Sequence, residues 1–174
     1  MRAALATTAV AIATLVLALP AAALAGGATR TQITQAVAKA EKSQSLWATI
    51  NVCSVKRRGG EIGVRGQMPT LGFSSTLRMD VQLGSWSTTR KRFEPIDSSS
   101  AKSVLSLGSM SSGLQQTGAV FIYKFHPGLL DATITFSWTR GGKLLAQTTR
   151  RTTASHRNVD YSRPAHYSAA HCDL

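Results

Sequence analysis

The amino-acid sequence predicts an all-β protein: an antiparallel β-sandwich of immunoglobulin or fibronectin III type, with about seven strands and a short N-terminal helix. Apolar residues alternate with polar residues along several segments, which is the period of a strand with one buried face. Turn residues separate these segments, and the sequence has neither a fixed internal repeat nor an alternation of strands with helices. This combination favours two packed antiparallel sheets over a parallel α/β sheet.

The first 25 residues have the pattern of a cleavable secretory signal peptide. Arg2 gives a positively charged start, residues 3–19 carry no charge, and Ala23 and Ala25 are small residues at the two positions that a signal peptidase reads. A retained membrane anchor is the alternative, but about 17 residues rich in alanine and threonine are short for a hydrocarbon core of roughly 30 Å. We therefore expect cleavage of residues 1–25, a secreted, extracellular protein and no membrane span in the mature chain.

The mature chain is expected to hold one domain. Residues 26–45 are predicted to be a short linker with a weak helix, in which Ile33 and Val37 have helical spacing and Thr31 is the expected N-cap. Residues 46–174 are predicted to form the β-sandwich. A mature chain of about 150 residues buries roughly two thirds of its unfolded surface, so it supports one core rather than two.

From residue 47 onward the apolar period changes from about 3.6 to about 2, which indicates strands. The pattern is clearest in the run from Asp131 to Thr139, where four apolar residues alternate with threonine and serine. The predicted strands are residues 47–55, 61–68, 76–85, 103–107, 119–125, 131–139 and a segment that begins at residue 144. The residues expected between the two sheets are Ile50, Val64, Leu77, Met79, Val81, Phe121, Ile134, Phe136 and Trp138.

The last two predicted strands are joined by a hairpin, for which Gly141 and Gly142 supply the positive φ angles. A plain two-residue turn would place Trp138 opposite Leu145, whereas a bulge of one residue would place it opposite Leu144. The bulged register is favoured, because it keeps small and large apolar groups on one face of the sheet.

Cys53 and Cys172 are the only cysteines of the chain. In an oxidising compartment, an even count with no other partner predicts one intramolecular disulfide between them. Two unpaired thiols or an intermolecular link are the alternatives. The bridge would tie an early strand to the last residues of the chain.

Four segments of the sequence form recognisable blocks: WATINVC at residues 47–53, IGVRGQMP at 62–69, FSWTRGG at 136–142 and YSAAHC at 167–172. These blocks resemble segments of uncharacterised secreted proteins of high-GC Gram-positive bacteria. The resemblance covers most of the mature chain, and residues 88–116 match least. It implies an exported sandwich domain with a bridge between the two cysteines, and it carries over no functional residue.

No motif of the sequence predicts catalysis. Ser99 and Lys102 fit the S-x-x-K pattern of penicillin-recognising enzymes, but the second serine and the K-T-G strand that this chemistry requires are missing. The eight carboxylates are scattered, and none is singled out as part of a catalytic pair. His156, His166 and His171 lie near the C-terminus, but their spacing is irregular for a metal site. We expect a protein that is not an enzyme, with no cofactor and no metal.

Positive charge is the strongest functional signal. The formal net charge is +12, and loss of the signal peptide removes one arginine and no acid. Basic residues are concentrated in predicted turns, and turns at one end of a sandwich cluster in space. The alternative is that they are separate solubilising charges. The residues predicted to bind an anionic ligand are Lys56, Arg57, Arg58, Arg90, Lys91 and Arg92, and the other predicted basic turns contain Arg140 with Lys143 and Arg150 with Arg151.

Three classes of function remain open on the sequence alone. The favoured hypothesis is a secreted, non-catalytic module that binds an anionic cell-envelope polymer or a cell-surface protein through a basic face. The alternatives are a structural or assembly component without its own ligand, and a small secreted enzyme. Nucleic acid is not an expected partner, because the protein is predicted to be exported and has no aromatic platform or major-groove helix.

Overall fold

The structure is a computed structural model that describes residues 27–56, 59–124 and 128–174, without the side chain of Lys56. The predicted signal peptide therefore lies outside the described residues. The described chain forms one helix, α1 (Arg30–Glu41), and nine strands. The strands are β1 (Trp47–Lys56), β2 (Gly59–Pro69), β3 (Ser75–Ser87), β4 (Arg92–Pro95), β5 (Lys102–Met110), β6 (Leu114–Tyr123), β7 (Leu129–Arg140), β8 (Lys143–Arg151) and β9 (Cys172–Asp173).

The strands form two antiparallel sheets. In the first sheet, β2 lies between β1 and β6. In the second, β3 pairs with β7 on one side and with β4 and β5 on the other, and β8 and β9 pair with β7. The strands β1, β2 and β6 thus take the A, B and E positions of an immunoglobulin-type sandwich, and β3, β7 and β8 take the C, F and G positions. The predicted sandwich is confirmed, and the two strands beyond the predicted seven are the short β4 and β9.

The core lies between the two sheets, as predicted. All nine predicted core residues are at most 6% exposed. The indole Nε1 of Trp138 donates a hydrogen bond of 2.9 Å to the carbonyl oxygen of Pro69, so the buried N–H is satisfied by the opposite sheet. The sheets approach each other closely at Gly66, where a Cβ atom would lie 2.7 Å from Cδ1 of Ile134.

The helix begins two residues earlier than the predicted N-cap implies. Thr29, not Thr31, is the N-cap, because its hydroxyl accepts a hydrogen bond from the backbone N–H of Gln32 while the Gln32 side chain accepts one from the Thr29 N–H. This reciprocal capping box satisfies two donors at the helix start. Near the other end of the helix, Ala40 is buried in the core, so α1 packs on the sandwich.

The β7–β8 hairpin has neither of the two predicted registers. Arg140 pairs with Lys143, which makes Gly141–Gly142 a two-residue turn, and the irregularity lies one step further along. It leaves Leu145 without a partner and places Ala146 opposite Trp138. The predicted registers are wrong because a bulge beyond the turn turns Leu145 toward the core and leaves the neighbouring Leu144 at the surface.

The direction of the strands assigns the turns to two ends of the sandwich. The turns β1–β2, β3–β4 and β6–β7 lie at one end together with β9, and the turns β2–β3, β5–β6 and β7–β8 lie at the other. Cys53 on β1 and Cys172 on β9 form the predicted disulfide, which joins the two sheets near the first of these ends. We call this end the disulfide end and the opposite one the helix end.

The C-terminal segment, residues 152–171, covers the outer edge of β1. Ile50 and Ala169 exchange backbone hydrogen bonds of 2.9 and 3.0 Å, and the N–H of Arg163 donates to the carbonyl of Asn51 at 2.8 Å. The buried Asn51 side chain donates to two further carbonyls of the segment. These contacts lead the chain back to the disulfide end, where it finishes with β9.

Candidate functional site

The disulfide end brings together the two basic turns that the sequence singled out. Lys56 is the last residue of β1 and pairs with Gly59 at this end, whereas Arg57 and Arg58, which lie between them in the chain, are outside the described residues. The second basic turn, with Arg90, Lys91 and Arg92, joins β3 to β4 at the same end. The two turns belong to opposite sheets.

The last four residues of the chain span the gap between these sheets. Leu174 packs against Gly60, where an added Cβ would lie 2.6 Å from Cδ2 of the leucine, next to the β1–β2 turn. The ring of His171 stacks on Phe93, with centroids 4.9 Å apart, next to the β3–β4 turn. A three-residue step spans at most about 10 Å, so Gly60, after the β1–β2 turn, and Phe93, after the β3–β4 turn, flank the short stretch of surface formed by residues 171–174.

Lys124 adds a further positive charge to this surface. It follows β6, and the Gly59 backbone approaches it so closely that an added Cβ would lie 3.0 Å from the Cα of Lys124. Lys124 and Lys91 are both exposed, and no carboxylate of the described residues forms an ion pair with either. Both ammonium groups are therefore available to an anionic ligand.

The two arginines of the β3–β4 turn share one carboxylate. Arg90 Nη1 lies 2.6 Å from Glu94 Oε1, and Arg92 Nη2 lies 3.2 Å from the same oxygen. The hydrogen bond from Arg90, followed by that from Arg92, holds the pKa of Glu94 below its ordinary value. The glutamate balances only one of the two guanidinium groups, so this turn keeps a net positive charge.

Beneath this turn, Asp131 is a buried carboxylate at the start of β7. It is 2% exposed, and its Oδ2 lies 2.5 Å from Nη1 of Arg151, whose guanidinium also lies over the Phe93 ring at 5.6 Å. Gly84 makes room for the carboxylate, because a Cβ there would lie 2.5 Å from Asp131 Oδ1. Burial raises the pKa of Asp131, and the neighbouring Arg151 and His171 oppose that rise.

A perturbed acid near a histidine is a signature of catalytic sites, but catalysis would require that a substrate reach Asp131. The cavity at this carboxylate has a volume of about 30 Å³, which accommodates a water molecule and no organic substrate. A larger cavity of about 470 Å³ lies at the helix end, where its described lining includes Lys39 but no carboxylate and no histidine. The geometry of Asp131 is that of a structural ion pair that fixes Arg151 at the surface.

The other residues considered in the sequence analysis lie apart from this site. Ser99 is exposed in a short 3-10 turn, and Lys102 lies with its Nζ 3.5 Å from Asp97 Oδ1. Arg140 and Lys143 lie in the β7–β8 hairpin at the helix end, so they do not join the basic surface of the disulfide end. In the described ranges, no three histidine, cysteine or carboxylate side chains come together as a metal site.

His156 lies in the C-terminal segment, away from the charged end. Its ring stacks on Trp47 with centroids 4.6 Å apart, and its Nε2 lies 2.7 Å from the hydroxyl of Thr153. Burial lowers the pKa of this imidazole from its ordinary value of 6.5. The folded structure therefore favours the neutral form of the His156 imidazole.

The burial of His156 should make stability depend on pH. An imidazole whose folded-state pKa is lowered favours the folded state above its ordinary pKa, and this contribution is lost as the pH falls below about 6.5. We expect the free energy of unfolding to decrease from pH 7 to pH 5, and the decrease to be smaller in His156→Phe, which keeps the stacking on Trp47. Urea unfolding of both proteins at each pH measures this difference. An equal decrease in the free energy of unfolding for the two proteins would contradict the role given to His156.

Sequence reasoning did not find Lys124 as part of the site, nor the contact of Arg151 with Asp131 and Phe93. The basic residues were visible because charged runs in turns are local features of the sequence. The ion pair joins residues that are 20 positions apart on adjacent strands, and only the strand register brings them together. Asp131 alternates with Ala132 and has the parity of Thr133, on the face of β7 turned away from the core, so the sequence pattern held no signal of a buried ion pair.

Among the residues that the structure describes, no helix has the length and apolar character needed to cross a membrane.

No protein-family profile and no curated protein matches the sequence. Among solved structures, the chain is similar to a glycosyl hydrolase family 2 member from Bacteroides cellulosilyticus, with a TM-score of 0.33 and 6% identity. The similarity covers 64% of this chain and 15% of that protein. A similarity at this level transfers neither an activity nor a ligand.

Proposed function

We propose that the chain is a secreted, non-catalytic β-sandwich module that binds an anionic polymer of the cell envelope through the disulfide end. The observation that carries the proposal is topological: both predicted basic turns lie at the same end of the sandwich, on either side of residues 171–174. The sequence pattern of the first 25 residues, the resemblance to secreted proteins of high-GC Gram-positive bacteria and the disulfide support export.

The distribution of charge at this end favours an extended anionic ligand. Among the described residues, Lys91 comes from the β3–β4 turn and Lys124 from the end of β6, so these exposed cations belong to separate elements. Two of the neighbouring carboxylates, Glu94 and Asp131, are already bound by arginines. A polymer with repeated negative charges can contact several such cations at once, whereas a small anion can contact only one or two. Repeated weak contacts of this kind give affinity with little dependence on ligand sequence.

The absence of catalysis is part of the proposal. The one carboxylate in the described chain whose pKa is raised, Asp131, lies at a cavity of about 30 Å³ and is bound by Arg151. A binding surface needs no such cavity, because its ligand remains largely in solvent. If this surface has no ligand, a structural or assembly role without a ligand is the remaining interpretation.

The experiment compares the wild-type protein with a variant of the disulfide end, in which Arg57, Arg58, Arg90 and Arg92 are replaced by glutamine. We expect the variant to bind isolated cell wall at least about tenfold more weakly, which corresponds to about 1.4 kcal/mol. Wild-type binding should also weaken steeply as salt is added, because interactions between exposed charges are screened over about 8 Å at physiological ionic strength. Co-sedimentation with cell wall over a range of protein concentrations measures both effects.

The matched control removes the same charge from the opposite end, by replacing Lys39, Lys42, Arg140 and Lys143 with glutamine. This variant has the same net charge as the first, and it should bind nearly as well as the wild type if the location of the charge matters. Equal loss of binding in the two variants would show that only net charge counts. Equal binding by the wild type and the disulfide-end variant, or no binding of the wild type at low salt, would refute the proposed site.

A further inference from the structure

The strand β6 is an edge of the first sheet that lacks the usual protections against pairing with another chain. It pairs with β2 along its whole length, Leu114–Tyr123, in a regular register without a bulge. Its ten residues include no proline and no charged side chain. In the described chain, no other strand pairs with its outer side. Along residues 114–122, an unprotected edge of this kind presents backbone donors and acceptors to a partner strand.

The other edges of the sandwich are protected. The outer edge of β1 is covered by the C-terminal segment. On the far side of the second sheet, β4 has only four residues and ends in Pro95, while β5 starts with Lys102 and contains a register shift opposite Leu77 and Arg78. The edge strand β8 carries Lys143, Arg150 and Arg151. Edge strands of natural proteins use these devices against unwanted pairing. Among the edges of the two described sheets, β6 is the one that lacks them.

The exposed side chains of β6 are apolar where the strand is most open. Val120 is 53% exposed and Ile122 is 81% exposed, whereas Phe121 between them is buried in the core. The two exposed residues therefore lie on the outer face of the sheet, two positions apart. Exposed branched apolar residues at alternate positions form the surface on which cross-strand pairs pack.

We propose that β6 pairs in antiparallel orientation with β6 of a second copy of this chain, about a two-fold axis at Phe121. In this register, Val120 of each copy lies opposite Ile122 of the other, so the apolar surface is complementary to itself, as a two-fold interface requires. Lys124 lies opposite the uncharged Gly118, so no like charges oppose each other. The first sheets of the two copies then form one continuous sheet of six strands. This inference is independent of the proposed ligand.

A second copy explains the features of β6 better than an extended peptide of another protein. The chain is strongly basic, yet this strand has no charge, which removes the repulsion that would otherwise oppose association of two identical chains. An acidic partner would instead be expected to meet basic residues along the strand. The pairing of Val120 with Ile122, repeated in both halves of the interface, follows from the sequence of β6 alone and requires no other protein.

The first test measures the oligomeric state by sedimentation equilibrium of the mature protein. We expect a monomer–dimer equilibrium in the wild type, and a dissociation constant at least tenfold higher when Val120 and Ile122 are both replaced by lysine. The matched control is Val104→Lys, because Val104 is an equally exposed apolar residue of β5, at 60% exposure. Circular dichroism should be unchanged in both variants. A monomeric wild type, or a dimer that survives the double substitution, would overturn the proposal, as would an equal loss in Val104→Lys.

The second test examines the register. The single variants Val120→Cys and Ile122→Cys are mixed, one of them carrying an affinity tag, and oxidised. Opposite residues of an antiparallel pair have Cβ atoms about 4.5 to 5.5 Å apart, whereas diagonal neighbours are about 7 to 8 Å apart. Cross-links between the two different variants should therefore form faster than those between identical ones. Equal rates for all three products would rule out pairing about Phe121.

Discussion

Replacing Phe136 by alanine should lower the free energy of unfolding by about 3 to 5 kcal/mol, which is the range for truncation of a large aromatic residue in a core. Phe136 is 0% exposed at the centre of β7. Its ring reaches across to the other sheet, where Cε1 would lie 3.2 Å from a Cβ added to Gly66. The glycine leaves a fitted space for the ring, so the truncation removes contacts with both sheets and leaves a cavity between them.

Urea unfolding followed by circular dichroism measures this loss. The matched control is Val104→Ala, which also truncates an apolar side chain on a strand, but one that is 60% exposed. Surface truncations usually change stability by no more than about 0.5 kcal/mol, so the control should unfold close to the wild type. A change of less than 1 kcal/mol in Phe136→Ala would contradict the central position of this ring.

The long strands β3 and β7 were predictable because their apolar residues lie on a single face. The alternation of apolar and polar residues in β3 and β7 directly marks the inner residues, such as Met79 and Phe136, without knowledge of their partners. The strands β4 and β9 have four and two residues, too few to show a period. They exist because β3 and β7 offer pairing partners at the disulfide end, which is tertiary information.

The register of the β7–β8 hairpin shows a second limit of sequence reasoning. Gly141 and Gly142 correctly indicate the turn, but the position of a bulge depends on which side chain the core accepts. Here the core accepts both Leu145 and Ala146, which are consecutive and would point to opposite faces of a regular strand. The burial of both residues depends on the space under Trp138 in the folded core, and the local sequence does not specify that space.

The basic turns show the same division between local and tertiary information. The charges of Arg90, Lys91 and Arg92 were visible in the sequence, but their location relative to the β1–β2 turn depends on strand direction. The binding of Arg90 and Arg92 to Glu94 follows from the short β4, which brings the glutamate alongside the turn. Whether these charges bind a ligand is a separate question, which the charge-matched variants described above address.

Loss of the Cys53–Cys172 disulfide should lower stability by about 4 to 5 kcal/mol. The bridge closes a loop between residues separated by 119 positions, and constraining a loop of this length in the unfolded chain has an effect of that size in the chain-entropy model. The expected measurement is a reduced free energy of unfolding for the double variant Cys53→Ala and Cys172→Ala. The same loss should follow reduction of the wild-type protein, whereas the reductant should leave the double variant unchanged.

The loss should be concentrated at the disulfide end, because β9 has two residues and pairs only with Leu129 and Leu130 of β7. Without the bridge, residues 171–174 are held by these pairs, by the stacking of His171 on Phe93 and by the packing of Leu174. Limited proteolysis of the reduced protein should therefore cleave the C-terminal segment before the sandwich itself. Two titratable thiols in folded protein isolated from outside the cell, or a double variant within 1 kcal/mol of the wild type, would contradict the prediction.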